Sequence, residues 1–207
     1  MRTYLASFFV LAACGAEVDN PDPAASVKER LAAGPTLLEV AISDSAGAVT
    51  ASRKTSDGWV PGLADLRIDG GELVLSGEGD VVMVDEFRLD VGPIAVPETV
   101  LGYPLELTDI HLSALEPVKV LATWSGEDEA NGEATIDLLL EWSLLNHGVV
   151  SPLGSPDLPP VPVEVSLTGN GERVHAEIRI SAPGELWKWA NVFRLEDLSL
   201  VVASDTP

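Results

Sequence analysis

The chain has 207 residues, 46% of them hydrophobic, and a formal net charge of −21. That length supports a single domain with a sizeable core, and the apolar fraction excludes a disordered acidic tail. So acidic a balance argues against nucleic-acid binding, since phosphate binding needs clustered Lys and Arg, and against docking on an anionic lipid surface by charge.

The N-terminus reads as an export signal: one positive charge at Arg2, then a short apolar run from Leu5 to Ala13. The run is too short to span a bilayer, which needs roughly 20 apolar residues. It closes on Leu11-Ala12-Ala13-Cys14, an aliphatic residue and two small ones before the chain's only cysteine. This segment resembles the lipobox of bacterial lipoproteins. The resemblance implies removal of residues 1–13, acylation of Cys14, and anchoring in the cell envelope. Gly15, where such proteins can carry a retention Asp, is compatible with the outer membrane. The competing reading is an ordinary secretory signal with a chance cysteine near its end. A lone cysteine has no partner for an internal disulfide, whereas several acyl chains give stable anchoring. Residues 14–23 then form the lipidated start and tether, and 24–207 a single mainly β domain.

A short helix is expected near residues 23–33. Asp22 with Pro23, or Ser26 with Glu29, offers the cap, Ala24, Val27 and Leu31 form its apolar face, and Gly34-Pro35 stops it. From Thr36 the period changes to two. Leu38, Val40 and Ile42 alternate with Leu37, Glu39 and Ala41, and 48–54 suits a partner strand. Asp57-Gly58 and Pro61-Gly62 read as turns. Leu66 and Ile68, a Gly70-Gly71 turn, then Leu73 and Leu75 read as a small hairpin, followed by a strand over 81–91. Val118, Val120, Ala122 and Trp124 face Ile136, Leu138, Leu140, Trp142 and Leu144 across an acidic loop, as a one-sided antiparallel hairpin. After a proline-rich crossing, Val161, Val163, Val165 and Leu167 face Val174, Ala176, Ile178 and Ile180, joined around Asn170-Gly171. Residues 186–203 close the chain. The expected fold is mainly β, with an antiparallel, strongly twisted sheet (half-barrel, tube or sandwich) and one short N-terminal helix.

Two segments echo each other. Leu105-Glu106-Leu107-Thr108-Asp109-Ile110-His111-Leu112 matches Phe193-Arg194-Leu195-Glu196-Asp197-Leu198-Ser199-Leu200. In both, the apolar residues change parity around an Asp. Alternation cannot change faces within a regular strand, so each Asp marks a bulge or bend.

No catalytic constellation emerges. His175 lies between Arg173 and Glu177 on an outward face, His111 in the echo strand, and His147 in an Asn-His-Gly turn. The zincin, Cys-pair, nucleophile-elbow, dinucleotide and P-loop signatures are absent from the sequence. The loop from Gly126 to Glu133 is rich in oxygen ligands but lacks the alternating calcium-loop pattern, so no cofactor or metal is expected. Trp124, Trp142, Trp187, Trp189 and Phe193 are the aromatic candidates, either for a packed core or for the mouth of an apolar cavity or a membrane-interface contact. Two functions follow. One is an envelope lipoprotein holding lipid or another hydrophobic ligand in an apolar β cavity, by analogy of architecture with envelope lipid carriers. The other is a non-enzymatic interaction lipoprotein with a filled sandwich core.

Overall fold

The structure is a computed structural model that describes residues 26–96, 105–146, 149–154, 158–169, 173–189 and 193–207. The described chain holds α1 (Val27–Ala33), then β1 (Thr36–Val40), β2 (Ala46–Thr55), β3 (Gly58–Leu66), β4 (Ile68–Glu78), β5 (Val81–Val91), β6 (Ile94–Val96) and β7 (Leu105–Ala114). It continues through β8 (Val118–Trp124), β9 (Glu129–Ile136), β10 (Leu138–Asn146), β11 (Val149–Gly154), β12 (Val161–Gly169), β13 (Val174–Trp189) and β14 (Phe193–Asp205).

Eight strands close into an antiparallel barrel in the order β5-β4-β1-β14-β13-β12-β9-β8, with Val81↔Leu121 to Val84↔Val118 joining β8 back to β5. Alternation decides what lies inside. Leu38, Leu73, Leu75, Val84, Val120, Val165 and Ile178 are buried, while Glu72, Glu86, Arg88, Lys119, Glu133, Glu164 and Arg179 stand exposed on the wall. A barrel spanning a bilayer needs the reverse, an apolar outer band, so this wall faces water. No described helix is long and apolar enough to cross a membrane.

Helix α1 stoppers one end of the barrel. Ser26 caps it: its hydroxyl accepts from Glu29 N at 3.2 Å, and its own N donates to the Glu29 carboxylate at 3.0 Å. Of the two caps the sequence offers, the Ser26–Glu29 box is the one formed, and the helix begins at Val27; residues 22–25 lie outside the described chain. Val27 and Leu31 are fully buried. Gly169 admits Val27, since a Cβ there would overlap the valine side chain.

Below the barrel, two of its strands change partners. The start of β14 pairs with β2, and only Ser204 and Asp205 near its end reach β1. The start of β5 pairs with β8, and its end, Arg88 to Val91, with β7. Two further layers result, β3-β2-β14-β13 and β11-β10-β7 with β5 and β6. In this part of the fold the echo residues set which side chains of the strand point inward. Asp109 and Asp197 are the two described non-glycine residues with positive φ, both at 52°. The register slips at both, between Ser143↔Thr108 and Glu141↔His111 on one side and between Glu196↔Thr50 and Ser199↔Ala48 on the other. Burial changes parity there: Leu107 before Ile110 and Leu112, Leu195 before Leu198 and Leu200.

The resemblance between the halves extends beyond the echo. Val91↔Ile110 and Ile94↔Leu107 flank a Gly92-Pro93 break, as Ala182↔Leu198 and Trp187↔Leu195 flank Pro183-Gly184. Leu145↔Glu106 on β10 and β7 matches Ser52↔Arg194 on β2 and β14. The chain is therefore two similarly paired units, β1–β8 and β9–β14. Each lays its first two strands on the last strands of the other.

Several local expectations are corrected. Pro61-Gly62 is not a turn but part of β3, which pairs only with β2 among the described residues, and proline is tolerated on such an edge. Gly70-Gly71 is not a turn either; β4 runs through it with a bulge, and a Cβ at Gly71 would overlap Arg88 O. Ile42 lies exposed in a 3-10 turn rather than continuing β1. The hairpin facing Val118 to Trp124 ends at Ile136, because β10 leaves to pair with β7. Asn170-Gly171 lies outside the described residues.

Left-handed backbone at a residue with a Cβ costs of order 1–3 kcal/mol, and Asp is among the residues that tolerate it best. Asp109→Val and Asp197→Val are expected to lower stability by about 1–3 kcal/mol in urea unfolding. Glycine relieves the strain more fully at 109 than at 197, where Asp197 Oδ1 accepts from Gly184 N at 2.7 Å. Unchanged midpoints for both valine variants would show that neither bulge is needed.

Candidate functional site between the outer layers

The barrel and the outer layers differ in how well they are filled. Between Val82, Val120, Ala130, Val165 and Leu167 the barrel leaves no room for a water. Between the outer layers lies a cavity of about 60 Å³. Val49, Leu195, Leu198 and Leu200 line it from one layer, and Ile94, Ile110, Leu140 and Trp142 from the other, with Trp187 at the seam. Several of these are counterparts in the two units: Val49 and Trp142, Ile94 and Trp187, Ile110 and Leu198, Leu112 and Leu200. The cavity therefore sits where the units face each other.

Every residue on its wall is apolar or an indole. A water here would lack the two to four polar partners that hold a buried water, and such spaces stay dry and accept apolar guests. The volume suits a short stretch of alkyl chain. A longer chain requires the layers to part; β3, β6 and β11 are each paired on one side among the described residues.

Trp142 and Trp187 meet edge to face, centroids 4.6 Å apart at 79°, and Trp187 meets Phe193 at 6.3 Å. Edge-to-face pairs contribute about 0.5–1.5 kcal/mol beyond their burial. Trp142 is buried, and its Nε1 has no hydrogen-bond partner among the described residues. An unmet buried donor costs about 1–3 kcal/mol, so this indole is not optimised as plain core.

The sequence-selected aromatics divide. Trp142 and Trp187 line the cavity, and Phe193 packs against Trp187. Trp124 lies at the other end, beside α1, with Lys28 Nζ 5.3 Å from its ring centroid. The backbone of Trp189 pairs with Phe193, and its side chain lies outside the described set, as do Cys14 and His147. His111 and His175 sit half-exposed on Asp90 and Asp205, at 2.7 and 2.9 Å. In the acidic loop, Glu127 O accepts from Lys28 N at 3.0 Å and Asp128 Oδ1 from Val27 N at 3.1 Å. That loop thus serves the start of α1, and among the described residues no group of three or more potential metal ligands forms. On the exposed side of the chain next to Leu66, the Arg67 hydrogen bond holds the Asp69 carboxyl below its ordinary range.

Sequence reasoning missed the aliphatic part of the site. Leu195, Leu198, Ile110 and Leu140 read as ordinary core; the one signal beside them is the parity change at Asp109 and Asp197, and at Asp197 it keeps Leu195 on the same cavity wall as Leu198 and Leu200.

Leu198→Ala enlarges an existing space. It is expected to cost about 2–5 kcal/mol in urea unfolding and to increase uptake of a small apolar probe such as benzene. A variant as stable as the parent would show that Leu198 does not pack as placed.

No family model and no curated protein matches the chain. Among solved structures, the crystal structure of Neisserial surface protein A (NspA) matches with a TM-score of 0.46 at 10% identity, covering 84% of this chain and 98% of that one. At that level of likeness nothing about ligand or location transfers to this chain.

Proposed function

We propose that this protein is an envelope lipoprotein, held to the membrane through Cys14, that binds an alkyl chain of a lipid or similar hydrophobic ligand between its two outer layers. The observation that carries the ligand reading is the wholly apolar cavity at the junction of the two units, beside a buried indole with an unmet donor. The tether rests on the lipobox resemblance, and the outer membrane on Gly15. The small volume favours a second reading, in which the layers stay closed around a filled core and the acidic surface meets a protein partner.

Native mass spectrometry of protein extracted in mild detergent separates the two. The expected result is co-purifying lipid, lost at least tenfold in Leu140→Trp, which fills the cavity. Lipid-free protein that also takes up no fluorescent fatty acid would leave the interaction reading standing. For the tether, Cys14→Ser is expected to abolish incorporation of labelled palmitate and to release the protein from membranes. Retention of both would refute acylation at Cys14.

A further inference from the structure

The backbone ladders around the cavity leave two gaps, one contributed by each unit. The first lies between β3 and β6, since β3 pairs with β2 and β6 with β7. The second lies between β11 and the last part of β13. There β11 pairs with β10, and β13 from Glu185 to Trp189 pairs with β14 alone among the described residues. Trp142 on β10 meets Trp187 on β13 across this second gap. Each gap adjoins a strand break, Gly92-Pro93 in the first unit and Pro183-Gly184 in the second.

The order of those two residues makes the gaps unequal. In the first unit the break begins with glycine, and Gly92 N donates to Arg67 O at 2.7 Å. That bond ties the connection from β3 to β4 onto the connection from β5 to β6. The Arg67 guanidinium forks onto Asp69 at 2.7 and 2.8 Å and packs on Gly92, where a Cβ would come within 2.7 Å of Arg67 Nε. In the second unit the break begins with proline. Pro183 follows the pair Ala182↔Leu198 as Gly92 follows Val91↔Ile110, and a proline nitrogen has no hydrogen to donate. The next N–H, that of Gly184, is committed to Asp197 Oδ1 at 2.7 Å on the neighbouring strand of its own layer. Among the described residues the second gap therefore has no tie. The strands differ accordingly: Cα atoms of β3 and β6 run within 8 Å of each other along a shared stretch, and those of β11 and β13 do not. Trp187 lines the cavity half-buried, whereas its counterpart Ile94 is buried.

We propose that the hydrophobic ligand enters and leaves the cavity sideways, between β11 and the last part of β13 and past Leu186 and Trp187, while the Gly92–Arg67 bond holds the gap between β3 and β6 shut. Parting β11 from β13 breaks no ladder. Parting β3 from β6 breaks the tie, and parting any paired strands breaks a run of bonds, each adding roughly a factor of five to the cost. The side chains suit an apolar guest: Leu186 and Trp187 stand on one side, and Val149 and Val150, 63% and 54% exposed, on the other. The inference rests on the ligand reading and adds the path to it.

The test follows uptake and release of dansyl-undecanoic acid by stopped-flow fluorescence. It uses purified Cys14→Ser protein, in which one introduced cysteine is the only thiol. Glu185→Cys on β13 and Ala95→Cys on β6 are both at exposed positions, and each is coupled to a branched polyethylene glycol maleimide. The label at position 185 is expected to slow uptake and release together, by about tenfold or more, with the equilibrium affinity unchanged. The label at position 95 is expected to leave both rates as they are. Equal slowing by the two labels, slowing by the label at position 95 alone, or no slowing by either would overturn this path while the ligand reading stands. A label at position 185 that weakens affinity without slowing uptake would also overturn it, since the label would then be acting on the cavity itself. No uptake by the unlabelled parent would defeat the ligand reading and the path with it.

Discussion

The architecture depends on one constraint: two long strands must each be buried against two different interiors. A regular strand offers one face to one core. The start of β14 serves the outer layers and its end serves the barrel, and within the outer-layer part the inward parity changes, so that Leu195, Leu198 and Leu200 all reach the same cavity. Asp197 makes that change with a single left-handed residue, and Asp109 makes it in the other unit, whose strand continues from β7 into β8. Without the change, either Leu195 or Leu198 would point into water.

The exchange of first strands follows from the same device. Because β14 has two faces to satisfy along its length, it carries β2 on its first half and β1 at its end, while β7 and β8 carry β10 and β9. Neither unit can complete its own barrel wall or its own outer layer. The closing contacts join residues far apart in sequence, such as Glu39 with Asp205. Such topology slows folding, since loop closure precedes its reward.

Much of this was legible in the residues. Two-residue alternation located most strands, the Ser26–Glu29 box placed the helix start, and the parity change around two aspartates announced the bulges. What stayed hidden was pairing. The apolar run from Ile136 to Leu144 looked like one strand because Asp137 interrupts it without any glycine or proline, yet β9 and β10 go to different partners there. Pro61-Gly62 and Gly70-Gly71 looked like turns because local chemistry suits a turn, and the edge position of β3 and the close approach of Arg88 O are facts of the tertiary fold. The site was half visible: bulky indoles drew attention to Trp142 and Trp187, whereas leucines lining a void are indistinguishable from leucines filling a core.

The two ends of the molecule now carry opposite assignments. At the α1 end the barrel is stoppered by Val27 and Leu31, and the space between Val82, Val120, Ala130, Val165 and Leu167 leaves no room for a water. At the other end the layers separate around an apolar cavity, and the edge strands β3, β6 and β11 each lack a second partner among the described residues. Packing differs between the two sides. In the barrel, glycines at 132 and 169 let neighbouring side chains close in, where a Cβ at either position would clash with Val120 or Val27. In the outer layers the counterpart residues differ in size, Val49 against Trp142 and Ile94 against Trp187. Two units that pair in the same register but carry unequal side chains cannot interdigitate evenly across their junction, and the mismatch is left as a void lined by both.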